Sequence, residues 1–234
     1  MPESTIYEDG TYLENNPTWH QEDSPWKAAQ ITKMLRRHDI IPSSVCEIGC
    51  GAGEILACLA AEYGDEVMFT GYEISPQAFK LAKTKVKNNL QFFLKDFFDD
   101  QGADFELVMA IDVFEHVEDY FGFLRGMRVR GRYHVFHIPL DLSVQALVRG
   151  TPIIGGRTMS GHLHYFNKDT ALATLKDTGY EIVDYFYTSG FELPKGSLRN
   201  KLLRTPRRLL YAINPDFGVR MLGGFSLLVL TRSI

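Results

Sequence analysis

Residues 44–63 read SVCEIGCGAGEILACLAAEY. The first six residues have the character of a buried strand, and the last eleven, from Gly53 to Tyr63, that of a helix. Glycines at 49, 51 and 53 between them permit a tight turn and let the backbone approach a ligand at a helix N-terminus. Outward from this unit, strand and helix patterns alternate. Upstream, Ser24 and Pro25 provide a capping hydroxyl and a proline at the first helical position of a helix expected to run to about His38. Downstream, strands are expected at 66–74, 90–95, 105–111, 132–138, 180–187 and 225–231. Helices are expected after Ser75–Pro76, over VFEHVEDYFGFLRGM (113–127), and from the Asn167 cap to Gly179. Such alternation means a parallel sheet covered on both faces, with ligand bound beyond the carboxyl ends of the strands.

The chain of 234 residues is 45% hydrophobic and 23% charged, with 25 Lys and Arg against 29 Asp and Glu, a net charge of −4. That composition is ordinary for a globular domain and excludes collagen, coiled coil and wholesale disorder. No apolar run reaches the ~20 residues of a membrane span. The acidic start, MPESTIYEDG, lacks the basic and apolar regions of a secretory signal. Cys46, Cys50 and Cys58 form neither a disulfide framework nor a zinc spacing, which points to reduced thiols and a cytoplasmic setting. The mildly negative charge gives no reason to expect DNA as a partner.

The ligand edge is rich in acid. Glu73 ends the second strand about 20 residues past the glycine loop, where a carboxylate accepts hydrogen bonds from ribose hydroxyls. Asp96 follows the third strand, placed to meet an adenine amino group. A dinucleotide fits poorly: the loop is G-x-G-x-G, and Glu54 stands where the last glycine of G-x-G-x-x-G belongs, facing the place of a pyrophosphate. Glu47, at the end of the first strand, likewise suits a cation. A nucleoside carrying an amino acid and a sulfonium charge meets this balance.

The strings VCEIGCGAGEILACLA, GYEIS, LKDFF and FELVMAIDVFEHVED resemble motifs I to IV of the class I S-adenosylmethionine (SAM)-dependent methyltransferases, and GHLHYFNKDTALATLKDTGYEIVDY resembles the segment that small-molecule members carry before their sixth strand. The likeness covers about residues 25–190 and the last strand. It implies an α/β, Rossmann-like, doubly wound seven-stranded sheet in the order 3-2-1-4-5-7-6, with strand 7 antiparallel. It further implies Glu47, Gly49 and Gly51 at the methionine end of SAM, Glu73 on the ribose, Asp96 and Phe97 at the adenine, and Ala110 near the methionine amine. Cys50, Gly53, Ile74 and Asp112 complete the donor-side candidates.

Asp112, Glu115 and His116 fall at i, i+3 and i+4 of the helix expected after the fourth strand, on one face. Three accounts stay open. The acids suit the positive end of a helix dipole, with His116 a structural partner. His116 can instead take a proton from a substrate hydroxyl, its ordinary pKa lying near 7. Or Asp112, Glu115 and His116 hold a divalent metal that acidifies that hydroxyl. The string resembles the E-x-x-E-H metal site of ubiquinone-pathway O-methyltransferases and of small-RNA 3′-end 2′-O-methyltransferases, with the shorter Asp112 at the first position. His162 and His164 flank the region and are candidates to complete either site, and His137 is a lesser one.

Two segments exceed the minimal fold: an aromatic arm over 1–24, a candidate lid, and a basic insertion at about 189–222. The insertion carries Lys195, Arg199, Lys201, Arg204, Arg207 and Arg208, with leucines interleaved and no acid from 195 to 215. A basic amphipathic segment over 195–211 suits an anionic membrane surface or an anionic substrate, with Pro206 expected to interrupt any continuous helix. The expectation is a SAM-dependent transfer of methyl to a small-molecule hydroxyl, on an acceptor that is sugar- or phosphate-bearing. The rivals are a metal-dependent RNA 3′-end 2′-O-methyltransferase, an NAD(P)-dependent oxidoreductase and a non-catalytic SAM-binding subunit. The absence of [DN]-P-P-[YFW] after the fourth strand disfavours methylation of exocyclic base amines.

Overall fold

A computed structural model describes residues 18–19, 21–100, 102, 104–189 and 198–234, with the side chains of 198–204 and 206 left aside. Most of the expected arm, including His20, and residues 190–197 of the insertion lie outside the described residues.

The first helix, α1 (Ser24–Arg37), leads into β1 (Ser44–Ile48), α2 (Glu54–Tyr63), β2 (Met68–Glu73), α3 (Pro76–Ala82), β3 (Leu90–Leu94), β4 (Phe105–Ile111), α4 (Tyr120–Arg128) and β5 (Gly131–Pro139). Then come α5 (Val144–Arg149), α6 (Thr151–Gly155), α7 (Lys168–Asp177), β6 (Tyr180–Ser189), α8 (Leu198–Ile213), α9 (Pro215–Leu222) and β7 (Phe225–Ser233). The strands form one sheet in the order β3-β2-β1-β4-β5-β7-β6. Its first five members are parallel, and β7 runs antiparallel between β5 and β6. This is the seven-stranded order expected above.

Period-two alternation splits the core into two layers. Along β4, Leu107, Met109 and Ile111 join α1 and α2 on one face, while Val108 and Ala110 join α4 and α7 on the other. Cys46 and Ile48 of β1 belong to the second layer, so Glu47 between them projects toward α1. Among the described residues no helix is long and apolar enough to cross a membrane.

Two expectations on local structure change, and one stretch adds elements that were not expected. After β4 no helix opens at once: residues 114–116 make a 3-10 turn, Val117 is extended, and α4 begins only where the Asp119 side chain accepts the Gly122 N–H at 2.9 Å. Residues 140–166 hold α5, α6 and a π-helical turn over 156–160, elements too short for a clear apolar period. And α8 runs through Pro206 without a break, absorbing the missing amide.

The glycine loop is pinned to its neighbour. Gly49 and Cys50 donate their N–H groups to the Tyr72 carbonyl at 2.9 and 3.1 Å. Gly53, at φ +74°, has left-handed backbone, and a Cβ there would stand 2.6 Å from the Phe92 ring. Gly53→Ala is therefore expected to cost about 2 kcal/mol or more from strain and overlap. That is a fall of about 5 °C in thermal midpoint, measured by calorimetry.

Candidate functional site

The carboxyl ends of β1, β2, β4 and β5 gather an unusual number of buried charges. Glu47, 2% exposed, is raised to about 8 by burial, partly offset by the Lys27 ammonium. Glu73 ends β2 with one oxygen accepting the Gly51 N–H and the other the Ser75 N–H, both at 2.7 Å. Burial raises its carboxyl, and those amides pull it back. Asp96 is exposed and caps the turn after β3 by accepting the Phe98 N–H at 2.9 Å. Gly51, at φ +54°, has the Trp19 ring 4.0 Å from where a Cβ would point, in ordinary contact.

Among the other donor-side candidates, Cys50 and Ala110 are buried beneath the loop and Ile74 is exposed. Phe97 turns its ring inward, edge-on to Tyr72 at 5.2 Å, so only its backbone faces the ligand edge. Burial raises the thiols of Cys46, Cys50 and Cys58, and all three are free.

Asp112 stands apart from Glu115 and His116. The shared face drawn from i, i+3, i+4 spacing is absent, because Asp112 adopts φ +56° and donates its N–H to the His137 carbonyl at 2.9 Å. Its carboxylate meets Lys27 of α1 at 2.7 Å and His137 Nδ1 at 2.6 Å, and His137 Nε2 reaches Thr188 Oγ1 at 2.8 Å. Burial alone would raise the Asp112 carboxyl, but His137 and Lys27 hold it well below the usual carboxylate range. Burial would lower Lys27, and the Asp112 charge outweighs it, leaving the ammonium raised. Sequence reasoning missed Lys27 and Thr188: neither lies in a motif, and only the approach of α1 and β6 brings them in.

Glu115 and His116 meet His162 instead. The Glu115 carboxyl is fully buried, and neither oxygen has a hydrogen-bond partner among the described residues, His116 Nε2 lying 3.8 Å away. The His116 and His162 rings pack edge-on at 5.0 Å, and Asp141 Oδ2 holds His162 Nδ1 at 2.7 Å. Leu163 and His164 donate N–H groups to the Glu115 carbonyl at 2.8 and 3.0 Å, fastening the histidine loop onto the 3-10 turn. Burial, then the Asp112 charge, pushes the Glu115 carboxyl well up, and burial, then His162, lowers His116 to about 4. His164 is turned away, with Nε2 on the Val117 carbonyl at 2.9 Å and its ring on Tyr120 at 4.4 Å. Of the remaining histidines, His134 is buried against the Met127 carbonyl and His38 pairs with Asp184.

One ligand atom from each of Glu115, His116 and His162 lies within 4.8 Å of the others. The donor chemistry of two imidazoles and a carboxylate suits a divalent transition metal. Asp141 behind His162 is the partner such ligands use to fix their tautomer. A buried carboxyl without hydrogen bonds is costly, and a cation is one way to satisfy it. The residues therefore fit a metal, with His162 in the position that sequence spacing gave to Asp112.

Two measurements probe these charges. Lys27→Met leaves Asp112 with His137 alone and is expected to cost about 1–2 kcal/mol in denaturant unfolding. Addition of Asp112→Asn should then cost less than the two single changes summed. Glu47 holds its proton up to about 8 when folded but releases it near 4.5 when unfolded. Its neutral form contributes stability that is complete below 4.5 and lost as pH rises through 8. Glu47→Gln should flatten that decline, gaining on the wild type toward pH 8.

Comparison with known proteins follows the same lines. A family profile described as a methyltransferase domain matches residues 19–185. Among solved structures, the chain is similar to magnesium protoporphyrin IX methyltransferase of Synechocystis PCC 6803 with bound SAH, at TM-score 0.61 and 16% identity over 90% of this chain and 83% of that one. It is similar to the N-methyltransferase NodS of Bradyrhizobium japonicum WM9 in complex with S-adenosyl-L-homocysteine, at 0.60 and 18% over 96% and 99%. A SAM-dependent methyltransferase of Thiobacillus denitrificans, also with S-adenosyl-L-homocysteine, matches at 0.62 and 14% over 96% and 98%.

Proposed function

The chain belongs to the methyltransferase-domain family, and from that premise we propose that it transfers the methyl group of SAM to a hydroxyl oxygen of a small-molecule acceptor. The observation that carries the choice of acceptor atom is the buried Glu115 carboxyl, without hydrogen bonds among the described residues, facing His116 and His162.

In this reading Glu47 and the glycine loop face the zwitterionic methionine end of SAM, Glu73 exchanges its amide contacts for the ribose hydroxyls, and Asp96 meets the adenine. Gly49, Cys50, Gly51, Gly53, Ile74, the Phe97 backbone, Ala110 and Asp112 frame the same space. The end of the arm at Trp19 stands over Gly51, consistent with a lid. The methyl carbon passes in line from sulfur to the acceptor oxygen, the carbon–sulfur electrons staying on sulfur as a neutral thioether. With no cation bound, the acceptor proton leaves to the neutral imidazole of His116. Because the sulfonium is already activated, positioning and exclusion of water supply most of the acceleration. A divalent cation held by Glu115, His116 and His162 would instead acidify the acceptor hydroxyl, with His116 then a ligand and not the proton acceptor.

That cluster also keeps alive a metal-dependent methylation of an RNA 3′-terminal 2′-hydroxyl. A nicotinamide cofactor is disfavoured, since Glu54 opens α2 where a pyrophosphate would sit. Peripheral contact of the basic segment 195–211 with an anionic membrane surface, through bases other than the buried Arg207, belongs to the same reading.

The test begins with calorimetry, in which S-adenosyl-L-homocysteine binds to the wild type and to Glu115→Ala and His116→Ala alike. Turnover of an accepted hydroxyl should fall about 10²-fold or more in either variant. Binding with unchanged turnover in both removes Glu115 and His116 from the chemistry. Loss of activity in chelator that is restored by a divalent ion, and is absent from His162→Ala, assigns the metal.

A further inference from the structure

Beyond the reacting centre lies a cavity of about 380 Å3, within the range of small-ligand sites. It opens at the same edge of the sheet, between the last residue of β5, the first residues of β7, α5, α6 and the turn from α9. Arg149 of α5 and Arg207 of α8 line it, together with Ser143 and Gln145. Arg207 is only 8% exposed, so this member of the basic insertion is turned inward rather than toward solvent. Gly223 and Gly224, at φ +61° and +77°, form one wall, and the Arg207 guanidinium carbon lies 3.4 Å from where a Cβ on Gly224 would stand.

The walls carry two bases, Arg149 and Arg207, against one acid, Asp141. Residues 142–168 contain Arg149, Arg157 and Lys168 and no acid, and residues 193–215 contain six basic residues and no acid. These two stretches supply both arginines of the cavity. The single carboxylate on its wall, Asp141, is engaged with His162 at 2.7 Å. Asp141 thereby separates the cavity from the Glu115–His116–His162 cluster by one residue.

We propose that this cavity is the anchoring subsite for a phosphate group on the acceptor, gripped by Arg149 and Arg207, with the acceptor hydroxyl extending past Asp141 to Glu115 and His116. The assignment rests on the hydroxyl-transfer reading and names the class of its substrate: a phosphorylated alcohol. Guanidinium forks match phosphate oxygens in pairs, and partial enclosure strengthens each contact.

Inorganic phosphate titrated into the full chain saturated with S-adenosyl-L-homocysteine should bind saturably, and more tightly than acetate. Arg149→Met should weaken it about tenfold or more, and Gln145→Trp, which fills the space, should abolish it. Neither residue is buried, so both variants should keep the wild-type melting temperature and S-adenosyl-L-homocysteine affinity. Arg207→Met should weaken phosphate further wherever that affinity is retained. Glycerol 3-phosphate should compete with inorganic phosphate. Absence of phosphate binding, wild-type phosphate affinity in both Arg149→Met and Gln145→Trp, or binding that glycerol 3-phosphate does not displace overturns the subsite. An N-methylated product would overturn the hydroxyl reading while leaving phosphate binding intact, so the two failures are distinguishable.

Discussion

Asp112 lies between the Lys27 ammonium at 2.7 Å and the His137 imidazole at 2.6 Å. These contacts join α1, the end of β4 and β5, and through Thr188 they reach β6. They also hold Asp112 in left-handed backbone, which turns the chain sharply before the 3-10 turn over 114–116. Because Asp112 is taken up by this network, Glu115 and His116 point elsewhere, toward the loop that brings His162. The separation of Asp112 from the Glu115–His116–His162 cluster follows from where one carboxylate finds its partners.

The electrostatics of the edge are graded accordingly. Glu47 and Glu73 are buried acids whose burial favours the neutral form, and an arriving cation relieves that cost. Asp112 is already relieved by Lys27 and His137. Glu115 is not, and its fully buried carboxyl lies beside the imidazoles of His116 and His162. Farther out, the wall turns basic through Arg149 and Arg207. Buried acids around the glycine loop, the Glu115–His116–His162 cluster and a cavity lined by Arg149 and Arg207 thus succeed one another along the carboxyl ends of the strands.

Much of this was legible in the chain. The strand–turn–helix at 44–63, the strand alternation and the caps at Ser75 and Asn167 depend on neighbours a few residues apart, and the structure reproduces them within a residue or two at most ends. The helix read across 113–127 forms only from Tyr120 onward, because a propensity reading weighs apolar spacing and does not see an aspartate drawn aside by a lysine 85 positions earlier. The short helices between β5 and α7 carry too few turns to show a period, and α8 continues past Pro206, where local rules would end it.

The amino-acid sequence by itself determined the strands, their parallel sheet and the glycine loop with its acids, because backbone geometry and apolar periodicity are local properties repeated along the chain; the order of the strands was implied only by the resemblance to class I methyltransferases. Tertiary structure alone decided which charges pair. Lys27 with Asp112, His137 with Thr188, Asp141 with His162, and the inward turn of Arg207 are contacts between segments distant in sequence. A charge settles where burial is least costly, and that depends on every element packed around it.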